Sequence, residues 1–344
     1  LKDASVWTGR DEAKWLGWLD IVGEELADLQ KYSDLESDLA AAGFTNTLLM
    51  GMGGSSLCPE VLAMTFGKTN FHILDSTVPA QVKAVENKLD LAKTLFIVAS
   101  KSGSTLEPNC FKQYFFERAA ETVGRENAGK QFIAITDPGS KMEQVAKADG
   151  FRHIFYGKPQ IGGRFSALSA FGVTAAASMG IDVERFLTNA AEMALACKST
   201  DASDNCGATL GLVLGVCHAQ GRDKLTIFTS PEIHDLGAWL EQLVAESTGK
   251  NGVAIIPVDR EPIPASSLGT NNYRNDRVFA FLSLKGDAEM DAKYAAMVAA
   301  GWFTSQITRS SGSRDRSTSS RVTRDSPALA RRTRRVASAT LARS

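Results

Sequence analysis

The feature that most constrains the fold is an alternation, in the first half of the chain, of short apolar runs with segments of helical spacing. Strands are predicted at 44–51, 70–74, 94–99, 132–136 and 152–156, with helices at 59–66, 79–89, 109–123 and 140–148 between them. Such an alternation indicates an α/β fold in which a parallel sheet carries helices on both faces. Ligands of these sheets bind at the carboxyl ends of the strands, so the loops that follow the strands are the expected place of a site.

The second half of the chain repeats this pattern on a smaller scale. Helices are predicted at 167–179, 183–196, 208–219, 233–247 and 288–300, and strands at 225–229, 253–257 and 277–284. We expect an N-terminal helical arm over 1–42, a first domain over 43–180, a second domain over 181–302 and a basic tail over 303–344. The second domain is expected to be incomplete at its C-terminal end, because only a weak strand at 302–309 follows its last helix.

The composition excludes fibrous and membrane-spanning proteins. Of the 344 residues, 44% are hydrophobic and 22% are charged, and no run of about 18 apolar residues occurs. We expect a cytoplasmic protein with no membrane partner. The five cysteines have no CxxC or His-paired spacing, so we expect reduced, mostly buried thiols and no metal site. Position 1 is Leu rather than Met, and the chain is expected to be a piece of a longer polypeptide.

The loop at 100–107 has the composition of a phosphate site. It follows an apolar run, and it offers the hydroxyls of Ser100, Ser102 and Thr105 together with the cation of Lys101. A helix is predicted to begin behind it, and backbone amides at a helix start favour a bound anion. The alternative is a Ser/Gly-rich surface turn.

A second loop of small residues, 51–57, also leaves a predicted strand and contains Gly54 and Ser55. Its glycines, with Asp75 at the end of the next strand, suggest a dinucleotide site. That fingerprint is only partial, because its next glycine falls on Ser56. Two hydroxyl-rich loops at one sheet edge favour a sugar phosphate, and the dinucleotide site remains the alternative.

Two further motifs carry candidate catalytic groups. Arg164 follows Gly162 and Gly163 and precedes a long apolar helix, which suits a cation that stabilises developing negative charge. The alternative is an arginine paired with a surface acid. Gln242 and Glu246 lie four residues apart and therefore share a helix face. Glu246 could serve as a general base in a pocket, whereas periodicity alone favours an exposed face.

These four motifs, at 51–57, 100–107, 162–169 and 241–250, resemble in their order those of the phosphoglucose isomerase family, and the resemblance extends over about 7–301. It implies two sugar isomerase (SIS) domains, each a parallel-sheet sandwich with helices on both faces. The segments 7–9 and 12–19 are similar to the isomerase half of bifunctional proteins in which a transaldolase precedes the isomerase.

The resemblance also implies an activity: the reversible conversion of glucose 6-phosphate to fructose 6-phosphate, in glycolysis and gluconeogenesis, without a metal or redox cofactor. Glu246 would carry the proton between C1 and C2, and Arg164 would stabilise the enediolate. Gln242 would bind sugar hydroxyls. The phosphate would be held by residues of the two small-residue loops, namely Gly54, Ser55, Ser100, Lys101, Ser102 and Thr105. Members of the family commonly form homodimers.

The sequence departs from the family in two motifs. The ring-opening histidine is not recognised, since His234 is interpreted as a helix-start residue and His218 as a core residue. The late lysine motif is not found either, because the Arg/Ser-rich tail stands where it is expected. An isomerase without this lysine is expected to be impaired or inactive. The alternative function is a non-catalytic SIS module that binds a phosphosugar.

The tail at 303–344 has ten Arg, no Lys and two Asp, a net charge of +8. A nucleic-acid arm is disfavoured, because the tail lacks lysine and, after its first residue, aromatic residues. A natural disordered extension is a second interpretation. We favour an out-of-frame translation, because GC-rich coding sequence read in the wrong frame yields Arg, Ser, Ala and Thr.

Overall fold

The computed structural model describes residues 5, 7, 9–201, 205–262, 273–302, 304–309 and 318–323. The chain divides into two compact units, Leu1–Ala191 and Glu192–Ser344. The division falls inside a helix, later in the chain than the predicted domain boundary at 180. Most of the tail at 303–344 lies outside the described residues. Among the residues described, none of the helices combines the length and the apolar character that a membrane span needs.

The first unit is built on a five-stranded parallel sheet with the strand order β2-β1-β3-β4-β5. The strands are β1 Asn46–Gly51, β2 Phe71–Leu74, β3 Thr94–Ala99, β4 Phe132–Thr136 and β5 His153–Tyr156. The α-helices are α1 Ile21–Leu26, α2 Gln30–Ala42, α3 Gly54–Thr65, α4 Pro79–Glu86, α5 Leu106–Val123, α6 Arg125–Ala128, α7 Lys141–Ala148 and α8 Ala170–Ser178. Helix α9, Val183–Ala196, contains the division between the units.

The central strand of this sheet, β3, is apolar apart from its first residue, Thr94. Every residue of β3 is buried, as expected for a parallel strand that is covered on both faces. On one face Phe96 stacks against Phe132 with ring centroids 4.8 Å apart, and Phe115 of α5 packs against Phe96 at 5.5 Å. Full burial of one such ring stabilises the fold by about 1.5–3 kcal/mol. The packing of these rings therefore fixes the position at which β3 ends and the position at which α5 begins.

The N-terminal segment packs on the first unit. Trp18 stacks on Phe165 with ring centroids 5.4 Å apart, and the amide of Gly17 donates to the carbonyl of Gln160 at 3.2 Å. Ile21 and Val22 join Ile161 in a small apolar cluster. These contacts hold the segment that leads to the arginine motif.

The second unit also contains a five-stranded sheet, with the order β10-β9-β8-β6-β7. Strands β6 to β9 are parallel, and β10 is antiparallel to β9. The strands are β6 Lys224–Thr229, β7 Ile256–Val258, β8 Arg277–Leu284, β9 Thr304–Arg309 and β10 Thr318–Thr323. The helices that follow α9 are α10 Cys206–His218, α11 Leu236–Thr248 and α12 Ala288–Ala299.

The predicted α/β architecture with parallel sheets is confirmed, and a few elements differ. Helix α3 begins at Gly54 rather than at 59, because the Gly and Ser residues before Pro59 already form its first turn. The helix predicted at 167–179 is instead a 3₁₀ helix, Gly163–Leu168, followed by α8, whose first turn is capped by the Ser169 hydroxyl. Two strands, β9 and β10, lie within the predicted tail. β10 pairs with the edge of β9 through backbone hydrogen bonds.

Candidate functional site

A cavity of about 480 Å³ opens in the first unit at the carboxyl ends of β1 and β3. The chain passes from β1 outward to β2 and then returns to the other side of β1 at β3, so the strand order reverses between these two strands. Open α/β sheets bind ligands at such a switch point. Six of the predicted site residues line this one cavity: Gly54, Ser55, Ser100, Lys101, Ser102 and Thr105.

Two helices begin at this cavity. Helix α3 starts at Gly54, and α5 starts directly after Thr105, which is its N-cap residue. The first amides of a helix have no partner within the helix, and the helix dipole gives its amino end a positive potential. Two such ends beside several hydroxyls are suited to an anion such as phosphate.

The loop after β3 is held in one conformation by its own contacts. Gly103 has a φ of +67°, a region that favours glycine, and the Asn109 side-chain amide donates to the carbonyls of Gly103 at 3.1 Å and Thr105 at 2.7 Å. Ser100 is only 3% exposed, and its buried hydroxyl has no hydrogen-bond partner among the described residues. A buried polar group without a partner is costly, so this hydroxyl is suited to a ligand.

The loop after β1 approaches the arginine motif at backbone distance. Gly53 has a φ of +55°, and its carbonyl accepts a hydrogen bond from the Ser56 hydroxyl at 3.0 Å. A Cβ at Gly54 would lie 2.2 Å from the carbonyl oxygen of Gly163. Glycine at position 54 is therefore what allows α3 to begin against the segment that carries Arg164.

This close approach predicts a large difference between two glycine-to-alanine changes. Gly54→Ala is expected to lower the free energy of unfolding by about 1–3 kcal/mol, because the new methyl group overlaps backbone that cannot move freely. Gly163→Ala is the matched control, since a Cβ there meets no atom of the described residues within 4 Å. Its effect is expected to stay within about 0.5 kcal/mol. Urea denaturation of both variants measures the difference, and equal losses would contradict the proposed approach.

Asp137 lines the same cavity and was missed by the sequence analysis. Its carboxylate forms an ion pair with Lys101, whose Nζ also donates to the Pro159 carbonyl at 3.2 Å. The signal was present in the sequence, because an acid directly after the predicted strand at 132–136 falls at the same sheet edge. Of this ion pair, only Lys101 was predicted as a site residue, as the cation of its loop.

Asp137 is held at the cavity by the turn that starts α7. The Thr136 hydroxyl lies 2.7 Å from that of Ser140 and donates to the carbonyl of Ser100 at 2.7 Å. The Ser140 hydroxyl accepts from the Glu143 amide at 3.1 Å, half of a capping box. The carboxyl end of β4 is thus tied to the loop after β3.

Arg164 lies in the 3₁₀ helix Gly163–Leu168, and its guanidinium stands 4.9 Å from the centre of the Phe165 ring. Its neighbours Gly162 and Gly163 line the cavity. The side chain is half-buried. The arginine motif therefore belongs to the same region of the first unit as the two hydroxyl loops.

Gln242 and Glu246 belong to the second unit, on α11. The Gln242 side-chain amide donates to Oε1 of Glu246 at 2.8 Å, which confirms that the two residues share a face. Glu246 is exposed, as periodicity predicted. The Lys250 ammonium contacts the main-chain carbonyl of Glu246. Gln242 orients the carboxylate through its hydrogen bond.

The remaining candidate side chains divide into confirmed and corrected predictions. His234 lies just before α11, where its Nδ1 is 2.9 Å from the Pro231 carbonyl. His218 is half-buried at the last residue of α10, so the prediction of a core residue was wrong. All five cysteines are free; Cys58, Cys206 and Cys217 are buried, and Cys110 and Cys197 are exposed. Burial raises the pKa of the Cys58 thiol to about 12, which leaves it unreactive at neutral pH.

Comparison with known proteins identifies a family for the chain. The family model described as phosphoglucose isomerase matches residues 36–271. Glucose-6-phosphate isomerase of Methanocaldococcus jannaschii is 28% identical over 246 residues, which are 71% of this chain and 58% of that protein. The chain thus spans less than two thirds of that relative's length.

Solved structures show the same fold. A hypothetical protein from Thermus thermophilus superposes with a TM-score of 0.77 at 23% identity, over 86% of this chain and 79% of that one. A glucose-6-phosphate isomerase from Chlamydia trachomatis superposes with a TM-score of 0.65 at 22% identity, over 85% and 63% of the two chains. The sheets and helices described above are therefore those of the SIS fold. Because the family model covers more than half of its residues, the chain belongs to the phosphoglucose isomerase family.

Proposed function

We propose that the chain is a glucose-6-phosphate isomerase, which interconverts glucose 6-phosphate and fructose 6-phosphate through an enediolate. The observation that carries this proposal is the single cavity lined by six residues of two separate loops, with two helix amino ends directed at it. Hydroxyls, amides and helix ends of this kind suit the phosphate of a sugar phosphate. The names of the relatives support the same substrate.

The proposed chemistry needs one base and one cation. With the phosphate held at Ser55, Ser100, Ser102 and Thr105, the Glu246 carboxylate takes the proton from C2 of the open-chain aldose. The C–H electron pair forms the C1–C2 double bond of the enediolate while the C1=O π pair moves onto O1. The hydroxyl proton of O2 passes to O1, the C2=O bond forms, and the C1–C2 π pair takes the proton back from Glu246 at C1. A carboxylate can both accept and return a proton, so one residue serves both steps.

Arg164 is the proposed cation. Negative charge develops on the oxygens at C1 and C2 while the proton is on Glu246, and a positioned guanidinium stabilises that charge. Gln242, which already donates to Glu246, would orient the base and bind sugar hydroxyls.

A coupled assay tests the proposal. Fructose 6-phosphate is supplied together with NADP⁺ and glucose-6-phosphate dehydrogenase, and NADPH forms only if the chain produces glucose 6-phosphate. Calorimetric titration with fructose 6-phosphate and with fructose measures binding separately. We expect binding of the phosphorylated sugar alone, with measurable turnover. Turnover is expected to be slow, because the family's late lysine motif is not found in this sequence.

Binding without turnover would contradict the isomerase activity if it persists after the lysine motif is supplied at the C-terminus. That result would favour a non-catalytic phosphosugar-binding module.

Three finer features also belong to the proposal: a homodimer, a cytoplasmic location, and descent from the isomerase half of a bifunctional transaldolase/isomerase protein. The segments 7–9 and 12–19 support the last of these. Sedimentation measures the dimer, and the coding DNA around the region shows whether a transaldolase reading frame adjoins it.

A further inference from the structure

The cavity of the first unit holds one positive and one negative side chain. Of the described residues that line it, Lys101 and Asp137 are the charged ones, and they pair with each other. Their side chains are 26% and 14% exposed. The charge of the lysine, which by itself would attract a phosphate, is therefore cancelled inside the pocket.

The two oxygens of the Asp137 carboxylate have different surroundings. Its Oδ2 takes the ion pair with Lys101, whereas its Oδ1 is buried and has no hydrogen-bond partner among the described residues. A Cβ at the buried Gly157 would lie only 2.7 Å from this Oδ1, so the glycine leaves room for the carboxylate at that point. A buried carboxylate oxygen without a donor is retained at a free-energy cost, which calls for a role.

We propose that Asp137 sets the affinity of the pocket for phosphate by cancelling the charge of Lys101. This inference rests on the proposed phosphate site and adds a specificity-determining residue to it. The dianion is then held by neutral hydroxyls, amides and helix ends. Binding strength that is equal in substrate and transition state does not speed the chemical step, and a reversible isomerase must release a product with the same phosphate. A pocket of zero net side-chain charge keeps that release possible.

A competing role for Asp137 is purely structural. In that case the carboxylate only positions the Lys101 ammonium against the Pro159 carbonyl, and its removal weakens binding. The two roles predict opposite signs for the same substitution. Charge cancellation also predicts that removing both charges restores binding, whereas positioning predicts that the second substitution has no effect once the lysine is gone.

The test is a double-mutant cycle on the full chain with inorganic phosphate as the probe. Calorimetry gives Kd for the wild type, Asp137→Asn, Lys101→Met and the double variant. We expect Asp137→Asn to bind phosphate about tenfold more tightly and Lys101→Met at least about tenfold more weakly, since one unit charge is added or removed close to a dianion in a partly dehydrated pocket. The double variant is expected within about threefold of the wild type.

Two controls make the cycle decisive. Lys88→Met changes the net charge equally at an exposed position outside the cavity lining, and it is expected to leave Kd unchanged. The affinity of Asp137→Asn is expected to fall more steeply with added salt than that of the wild type, because its pocket carries a net charge. If Asp137→Asn does not fold, as judged by circular dichroism, Asp137→Ser removes the same charge with a smaller side chain.

Weaker binding by Asp137→Asn, or a double variant as weak as Lys101→Met, would overturn this inference, as would a wild-type chain that binds no phosphate. A chain that binds phosphate with the expected pattern but converts no sugar phosphate would overturn the proposed isomerase and leave the role of Asp137 intact. The two proposals therefore fail separately.

Discussion

Replacing Glu246 with Gln is expected to lower kcat for fructose 6-phosphate by about 10²–10⁴-fold, the usual contribution of a positioned general base. The substitution keeps the shape of the side chain and an oxygen that can accept from Gln242, as Oε1 of Glu246 does at 2.8 Å. It removes the ability to take the C2 proton. Because Glu246 is exposed and its shape is retained, stability is expected to change by less than about 0.5 kcal/mol.

The neighbouring acid Glu241 supplies the matched control. It lies on the same helix, is also exposed, and carries no role in the proposed site. Glu241→Gln is expected to leave kcat unchanged, and both variants are expected to bind fructose 6-phosphate with Kd within about threefold of the wild type. Equal losses in the two variants, or normal turnover by Glu246→Gln, would remove Glu246 from the mechanism.

Arg164→Ala is expected to reduce turnover by a hundredfold or more, since loss of one electrostatic donor to a developing oxyanion costs about 3 kcal/mol. Binding of fructose 6-phosphate is expected to weaken far less, because the negative charge that Arg164 stabilises exists only on the reaction path. Arg164→Lys keeps the charge but loses the planar fork of donors, and an intermediate rate is expected.

The contact of Arg164 with Phe165 allows a structural effect to be separated from a catalytic one. A cation above an aromatic ring at a partly exposed site contributes about 0.5–1 kcal/mol, so loss of this contact is expected to lower the unfolding free energy of Arg164→Ala by about that amount. Arg185→Ala removes an exposed arginine from α9 and serves as the control for general charge. An Arg164→Ala variant that loses stability and turnover in equal measure would indicate a packing role only.

The spacing of the apolar residues and the positions of the loops between them were sufficient to predict the architecture. The strand at 94–99 was predicted with its observed bounds because its residues are all apolar or β-branched, and the strand at 277–284 because five consecutive apolar residues, 278–282, lie within it. The position of the candidate site followed from the same reasoning, since loops after adjacent parallel strands must meet at one edge. Six of the predicted residues accordingly line one cavity.

Other features depend on contacts between residues far apart in the chain, which periodicity cannot reveal. The start of α3 at Gly54 depends on the approach of Gly163, and glycine and serine before a proline otherwise resemble a loop. The pairing of Lys101 with Asp137 joins two loops that are separated by α5, α6 and β4. The pairing of β10 with β9 uses backbone groups, to which the arginine-rich composition of that region gives no guide.

The most direct test of the account is whether the 344-residue chain transfers solvent deuterium to fructose 6-phosphate in D₂O, followed by proton NMR. A base that removes a proton from carbon next to a carbonyl exchanges part of it with solvent before returning it, even when overall turnover is slow. We predict deuterium at C1 of fructose 6-phosphate and none in free fructose, which lacks the phosphate anchor. Tight binding of fructose 6-phosphate with no deuterium at C1 would contradict the account and leave the protein a phosphosugar-binding module.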